Sequence, residues 1–250
     1  MKNLTRLSIT CSLFLLLPCG LKAQDLSLGL AAQFNLDGNA LDSSGNGING
    51  TVPNDITWTT DRFGNPYSAI NFGTTGEGVL GTGLNLANSS SSVSLWIEKN
   101  YVGDLYNGGW ILRVGDSGNT GQAMNICVDY GQSIRYSFYN DDFDVNSPIL
   151  LANTWYNIVC TFDNTTDQRN IYVNGNLVAT DTANNGFSGD SSFGFGFQNV
   201  NLDNLSFYNR VLTPTDVQAI YSAPNPVPEP STFAMFGFGI ASLVGMRKLK

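Results

Sequence analysis

Histidine is absent from the 250-residue chain, and glutamate nearly so, occurring only as Glu77, Glu98 and Glu229. The first absence removes Ser-His-Asp and Cys-His nucleophile arrangements and every His-ligated zinc site. The second weighs against glycoside cleavage, which uses two carboxyl groups about 5–9.5 Å apart across the scissile bond. Between the chain ends only Glu77 and Glu98 remain, 21 residues apart. Basic residues are scarce as well. Residues 24–228 hold six Lys and Arg against nineteen Asp and Glu, a net of −13. That field repels a phosphate backbone, so nucleic acid is excluded as a partner. Neutral sugars, cations or a basic surface stay open. Helical periodicity is confined to one short segment near the C-terminus. Cysteine is limited to Cys11 and Cys19 near the N-terminus and to Cys127 and Cys160 in the middle. The middle pair is expected as two inert buried thiols; the alternative, a disulfide, needs their Cα atoms within about 7 Å.

What is present divides the chain into four parts. Residues 1–23 open with Lys2 and Arg6, run through CSLFLLLP and close with GLKA before Gln24. This is the layout of a signal peptide, with signal peptidase expected to cut between Ala23 and Gln24. Lipidation at Cys19 is the alternative, disfavoured by the proline before it. Residues 223–230, APNPVPEP, form a Pro-rich linker, and residues 231–250 follow as an apolar helix with a basic end. The sixteen uncharged residues STFAMFGFGIASLVGM precede Arg247, Lys248 and Lys250, which suit the cytoplasmic side of a membrane. The span reads as a stop-transfer anchor with the bulk of the chain outside. VPEPST, a Gly-rich apolar helix and a basic end, in that order, resemble the PEP-CTERM sorting signal. The resemblance implies a bacterium that makes exopolysaccharide and processing by an exosortase-type membrane protease near Pro228, Glu229 and Pro230. It further implies transient inner-membrane anchoring, then the cell surface or extracellular matrix. A permanent anchor is the alternative.

Residues 24–222 alternate with the two-residue period of strands, punctuated by Gly, Asn and Asp. In SVSLWIEK, Val93, Leu95 and Ile97 share a face opposite Ser94, Trp96 and Glu98. In SIRYSFYN, Ile134, Tyr136 and Phe138 oppose Arg135, Ser137 and Tyr139. SFGFGFQ sets Phe193, Phe195 and Phe197 on one face and glycines on the other, where something approaches closely or the strand bends. NIYVNGNLVATD spells a hairpin turning at Asn174-Gly175. One helix is expected near the end: Thr213 caps it, Pro214 suits its first position, Asp216 complements its dipole, and Val217, Ile220 and Tyr221 recur at helical spacing. About a dozen short strands with a single helix predict an all-β fold, a sandwich or barrel.

Five blocks in order, FNLDGNALDSSGNGINGT, VSLWI, TWYNIVCTFD, NIYVNGNLVA and LDNLSFYNRVLTPTDVQAIY, resemble LamG-like, concanavalin A-type lectin/glucanase domains. The resemblance implies a jelly-roll β-sandwich with one short C-terminal helix. Laminarinase-type relatives carry Glu-x-Asp-x-x-Glu on one strand; that motif is missing, so a non-catalytic module is expected. Asp141, Asp142 and Asp144 in YNDDFDVN read as a solvated loop. The first block packs hard oxygen donors into a Gly-rich loop, of the kind calcium takes in sixes to eights. With the rim calcium common in LamG-like domains, this suggests a structural Ca2+ held by Asp42, Asn46, Asn49 and Asp203. A hairpin loop of turn formers is the bland alternative. Sugars are held by aromatic faces ringed with polar groups. Trp96 and Trp155 match buried positions of the family pattern and read as core, whereas Tyr101, Tyr106 and Trp110 in the loop-rich NYVGDLYNGGW form the candidate sugar platform. The expected function is a surface-sorted lectin-like module on extracellular polysaccharide of the cell's own matrix. The rival is a structural matrix protein that contacts other proteins and binds no sugar.

Overall fold

The structure, a computed structural model, describes residues 24–54, 56–73, 78–100, 110–116, 118–128, 133–196 and 199–224. Its strands are β1 (Leu30–Phe34), β2 (Gly50–Thr51), β3 (Thr57–Thr59), β4 (Ala69–Asn71), β5 (Val79–Gly81), β6 (Ser91–Lys99), β7 (Leu112–Val114), β8 (Met124–Val128), β9 (Ile134–Phe138), β10 (Asp142–Val145), β11 (Trp155–Asp163), β12 (Gln168–Val173), β13 (Asn176–Thr182), β14 (Phe193–Phe195) and β15 (Val200–Tyr208), followed by helix α1 (Pro214–Tyr221). They form two antiparallel sheets. One runs β13-β12-β11-β6-β15-β4-β3, with β1 also paired to β15; the other runs β10-β9-β8-β7-β14-β5-β2. The expected β-sandwich with one short helix is the fold.

Alternation decides what each sheet turns inward. Val93, Leu95 and Ile97 of β6, Ile134, Tyr136 and Phe138 of β9, and Phe193 and Phe195 of β14 all enter one continuous interior cluster. Phenylalanines dominate its centre: Phe34 lies 5.5 Å from Phe193 and 5.3 Å from Phe195, ring centre to ring centre. Each such buried side chain removes enough apolar surface from water to contribute roughly 1.5–3 kcal/mol. The β12–β13 hairpin turns where Asn174 (φ 49°) and Gly175 (φ 80°) both take the left-handed conformation that two-residue hairpins require.

The outer face of the first sheet carries a second, smaller cluster, Val159, Tyr172, Tyr208, Leu212 and Val217, under α1. The helix starts as its sequence demands. Thr213 Oγ1 accepts from the Asp216 amide at 3.2 Å, and Asp216 Oδ2 accepts from the Thr213 amide at 2.8 Å, a reciprocal capping box. Arg210 Nη1 donates to the same carboxylate at 2.7 Å. Burial would raise Asp216, but the Arg210 and Thr213 hydrogen bonds dominate and hold it down at about 2.

Trp96 is buried as expected, on the outer face of the first sheet, where it stacks on Tyr221 at the end of α1 (centroids 5.9 Å apart). Two expectations need correction. Trp155 is only half-buried and belongs to neither cluster. Asp141 is no solvated loop residue. It is 5% exposed and pairs with the equally buried Arg169 at 3.2 Å, while also accepting from the Asn184 amide at 2.8 Å. Arg169 reaches Asp181 on β13 at 2.6 Å as well, so one guanidinium ties the β9–β10 turn to the neighbouring sheet edge. Asp142 and Asp144 do face outward, clamped by Arg135 at 3.1 and 2.7 Å. Cys127 and Cys160 are both buried. Cys160 belongs to the interior cluster, and burial pushes its thiol far above the ordinary range.

Candidate functional site

A hollow opens on the outer face of the second sheet because one strand offers no side chain there. Register sets Thr51, Leu80, Gly194, Arg113, Asn125, Ser137 and Asp142 side by side across β2, β5, β14, β7, β8, β9 and β10. Phe193 and Phe195 point inward, so Gly194 points out and leaves a gap between Leu80 and Arg113. This gap is the floor of a hollow of about 340 Å³, lined also by Trp110, Asp116 and Ser192. The glycine face of SFGFGFQ is where the groove forms.

Trp110 reaches this hollow through an irregularity at the start of β7. Ile111 and Leu112 both lie in the interior cluster, which strict alternation forbids for neighbours. The Ile111 amide still pairs with the Ile126 carbonyl at 2.9 Å. Trp110 is thereby placed beside the outward Arg113, whose guanidinium lies 4.7 Å from the indole centre. Arg113 is itself held, donating from Nε to the Gly115 carbonyl at 3.0 Å and from Nη2 to Asp116 at 2.5 Å. Next to Arg113 in register, Asn125 is buried, and its Oδ1 has no hydrogen-bond partner among the described residues.

Asp116 also lines a second hollow of about 330 Å³, with Gln122, Ser188, Gly189 and Asp190. Its two walls press together at glycines: a Cβ on Gly115 or Gly189 would fall 2.3 or 2.1 Å from the Gln122 carbonyl oxygen. Asp190 Oδ1 accepts from the Ser192 hydroxyl at 2.5 Å and from its amide at 2.9 Å. Those bonds, with a smaller pull from the Arg113 charge, hold its carboxyl below the ordinary value against the effect of burial.

Among the expected platform residues, then, Trp110 lies in the groove, and Tyr101 and Tyr106 lie outside the described residues. So do Ala23, Pro228, Glu229 and Pro230; Gln24 is described and donates to Asp216 at 2.5 Å. Among the described residues no helix is long and apolar enough to cross a membrane, and residues 231–250 lie outside them.

The four residues expected to hold calcium make hydrogen bonds and an ion pair within the protein. Both oxygens of Asp42 are occupied by donors: the Gln33 and Ser44 amides on Oδ1 at 3.0 and 2.9 Å, the Ser44 hydroxyl and Ile48 amide on Oδ2 at 2.9 and 3.1 Å. Burial acts to raise Asp42, but these bonds outweigh it and lower the carboxyl. Asn49 Oδ1 accepts from the Asp42 amide at 2.9 Å, and Asn46 turns its amide nitrogen to the Leu30 and Ala31 carbonyls at 3.0 Å. Asp203, fully buried, accepts at Oδ2 from Arg62 at 2.8 Å and at Oδ1 from the Asn204 side-chain Nδ2 at 2.5 Å. No three His, Cys, Asp or Glu side chains converge as a metal site among the described residues.

A further hollow of about 290 Å³ lies on the outer face of the first sheet, lined by Arg62, Trp96, Gln33, Ser94, Asn204 and Tyr208. Its aromatic surface is already covered. Arg62 sits 4.3 Å from both the Phe63 and Trp96 ring centres, Tyr221 stacks on Trp96, and Trp96 is only 8% exposed. Sequence reasoning missed Arg62, Arg113 and Gly194; the glycine parity of SFGFGFQ was the one usable signal.

Comparison with known proteins agrees with the architecture. No curated protein matches the chain. Many solved structures are similar, among them the following three. Domain 4 of an extracellular arabinanase from Geobacillus stearothermophilus, in complex with arabinotriose, has a TM-score of 0.61 and 20% identity over 77% of this chain and 98% of that one. The binding domain of Paraclostridial Mosquitocidal Protein 1 gives 0.62 and 17%, over 78% and 52%. A structure of botulinum neurotoxin type C, whose cell entry depends on two ganglioside molecules, gives 0.61 and 15%, over 78% and 51%. The chain thus spans about half the length of the toxin structures. Residues 226–248 match the PEP-CTERM protein-sorting motif. Residues 72–218, more than half of the sequence, match the concanavalin A-like lectin/glucanases superfamily, and the chain belongs to it.

Proposed function

We propose that this protein is an exported, non-catalytic carbohydrate-binding module whose sugar site is the Trp110 groove. One observation carries the reading: an aromatic side chain beside an open hollow that exists because Gly194 has no side chain, with Arg113, Asp116 and Ser192 at its edges. Apolar sugar faces stack on aromatic rings while polar groups at the rim take the hydroxyls. The arabinanase domain complexed with arabinotriose supports sugar as the ligand class. Non-catalysis is supported by the missing Glu-x-Asp-x-x-Glu strand motif and by the toxin binding domain among the similar structures.

Export follows from the sorting motif. In this reading signal peptidase cuts before Gln24, the tail halts in the inner membrane, and an exosortase-type protease acts near Pro228-Glu229-Pro230, delivering the module to matrix polysaccharide. The Asp42 loop serves as a hydrogen-bonded staple, not a calcium cage, supported by the four donors on its carboxylate. The test is a glycan array probed with the full chain in micelles of a detergent lacking a sugar headgroup. Retention on a set of glycans, lost in Trp110→Ala, is expected. Retention unchanged in Trp110→Ala refutes the site. Uniform absence of retention favours a matrix protein that contacts proteins instead.

A further inference from the structure

The two hollows on the second sheet share Asp116, so they form one track with two chemically different halves. The Trp110 half is mainly apolar, floored by Gly194 with Leu80 beside it. The other half is lined by Asp116, Gln122, Ser188, Gly189 and Asp190, which apart from the glycine are all hydrogen-bonding side chains. A single sugar ring placed on Trp110 leaves the second half empty. A ligand that uses both must continue past Asp116.

Charge narrows the class further. The track holds one cation, Arg113, and two carboxylates, Asp116 and Asp190. Arg113 is already paired with Asp116 at 2.5 Å, which leaves Asp190 in excess, within a body whose net charge over residues 24–228 is −13. Uronates, sulfated sugars and phosphorylated polymers therefore meet repulsion at the polar half. A chain without acidic groups meets no such penalty.

We infer that the track binds an internal stretch of a linear polysaccharide without acidic groups, the apolar half taking one sugar face and the polar half the hydroxyls of the sugars that follow. This rests on the sugar-binding reading of the Trp110 groove and adds to it chain length and charge class. The test is titration calorimetry on the full chain in the same micelles. The probes are linear arabino- and gluco-oligosaccharides from monosaccharide to hexasaccharide, with oligogalacturonates of matched length. Affinity is expected to rise at least about tenfold from monosaccharide to tetrasaccharide and to exceed that for the matched uronate by about tenfold. In the doubly substituted Asp116→Asn, Asp190→Asn chain the gap between neutral and acidic oligomers should close; an unchanged melting temperature excludes misfolding. If a charge-conserving Asp190→Glu restores the gap, the charge is the cause; if it does not, charge selection is overturned. Neutral sugars bound without dependence on length, or uronates bound as tightly, overturn the inference and leave the sugar reading standing. Should no probe bind, and the wild-type chain also fail on the glycan array, the sugar reading falls and takes the inference with it.

Discussion

The outer faces of the two sheets carry the same three residue types and use them oppositely. On the first, Arg62 lies over Trp96 and pairs with Asp203, and the side chains of the ion pair are 9% and 1% exposed. On the second, Arg113 lies over Trp110 and pairs with Asp116, at 16% and 81%. The difference comes from what covers each face. Helix α1 closes the first trio through Tyr221, and Phe63 takes the remaining side of the guanidinium. No side chain at Gly194 leaves the second trio open. A buried Arg–Trp–Asp set is a structural staple, and an exposed one is a surface that can receive a ligand.

The sharpest way to break this contrast is to remove each arginine. At pH 8, where Asp203 is ionised, Arg62→Ala strips a fully buried carboxylate of its partner and empties the space between two aromatic rings, so a loss of about 3–5 kcal/mol is expected. Arg113→Ala removes a partner from a carboxylate that water already solvates and should cost under about 1 kcal/mol. Denaturant unfolding followed by fluorescence measures both. Equal losses would mean that the two sites are not built differently.

The closed trio is also expected to leave a signature in pH. Burial pushes Asp203 up to about 7; the Asn204 hydrogen bond and the Arg62 charge oppose the rise, and Asp61 and Asp37 add to it. The unfolded chain releases that proton near the ordinary 3.8. Between those values the folded state holds a proton that the unfolded state has lost, so stability falls as pH rises through the window. Asp216 has the opposite sign. Held at about 2, it stabilises fully above about 4, and that contribution, about 2 kcal/mol, is lost as pH drops toward 2. Asp203→Asn should flatten the decline between pH 4 and 7, and Asp216→Asn should remove part of the acid limb. Unfolding curves at stepped pH decide; a slope from pH 4 to 7 that Asp203→Asn leaves unchanged would refute the assignment.

Why one staple was legible in the sequence and the other was not follows from distance along the chain. The Thr213–Asp216 capping box and the Asn174-Gly175 turn are local, so spacing alone specifies them. The parity of SVSLWIEK and SIRYSFYN gives the inward faces for the same reason. Arg62 and Asp203 are 141 residues apart, and Asp203 lies where β15 becomes irregular and changes partner from β4 to β1, which no local spacing announces. Asp141 read as solvated because nothing within its own segment announces Arg169. Trp96 was legible as buried from the family pattern, and the structure gives the reason: its strand is buried on both faces, a helix covering the second one. In the open site, Trp110 was legible as an aromatic in a loop-rich stretch, but Arg113 and Gly194 come from two other register partners, and only pairing sets them side by side.

A smaller effect sharpens the open side. Trp110→Ala should lower glycan affinity at least tenfold, about 1.4 kcal/mol, while changing stability less than Trp96→Ala does. Trp96 is enclosed by Arg62 and Tyr221, so its truncation leaves a cavity and should cost about 3 kcal/mol or more. Binding and unfolding measured on the same two variants should therefore move in opposite order. Binding lost in Trp96→Ala with its fold intact would transfer the ligand to the first sheet.

The smallest expected effect is that of calcium. A cation at Asp42 would have to displace two amides on one oxygen and an amide and a hydroxyl on the other, and the Gln33 amide it would strip belongs to β1. At Asp203 it would compete with a guanidinium at 2.8 Å. A ligand that binds the folded state raises the melting temperature in proportion to the logarithm of its concentration over Kd. Melting curves with millimolar calcium and with chelator should therefore coincide, and Asp42→Asn should lower stability equally in both, because its role is to accept hydrogen bonds. A calcium-dependent rise that Asp42→Asn abolishes would make the loop a metal site after all, and would require those four donors to release the carboxylate.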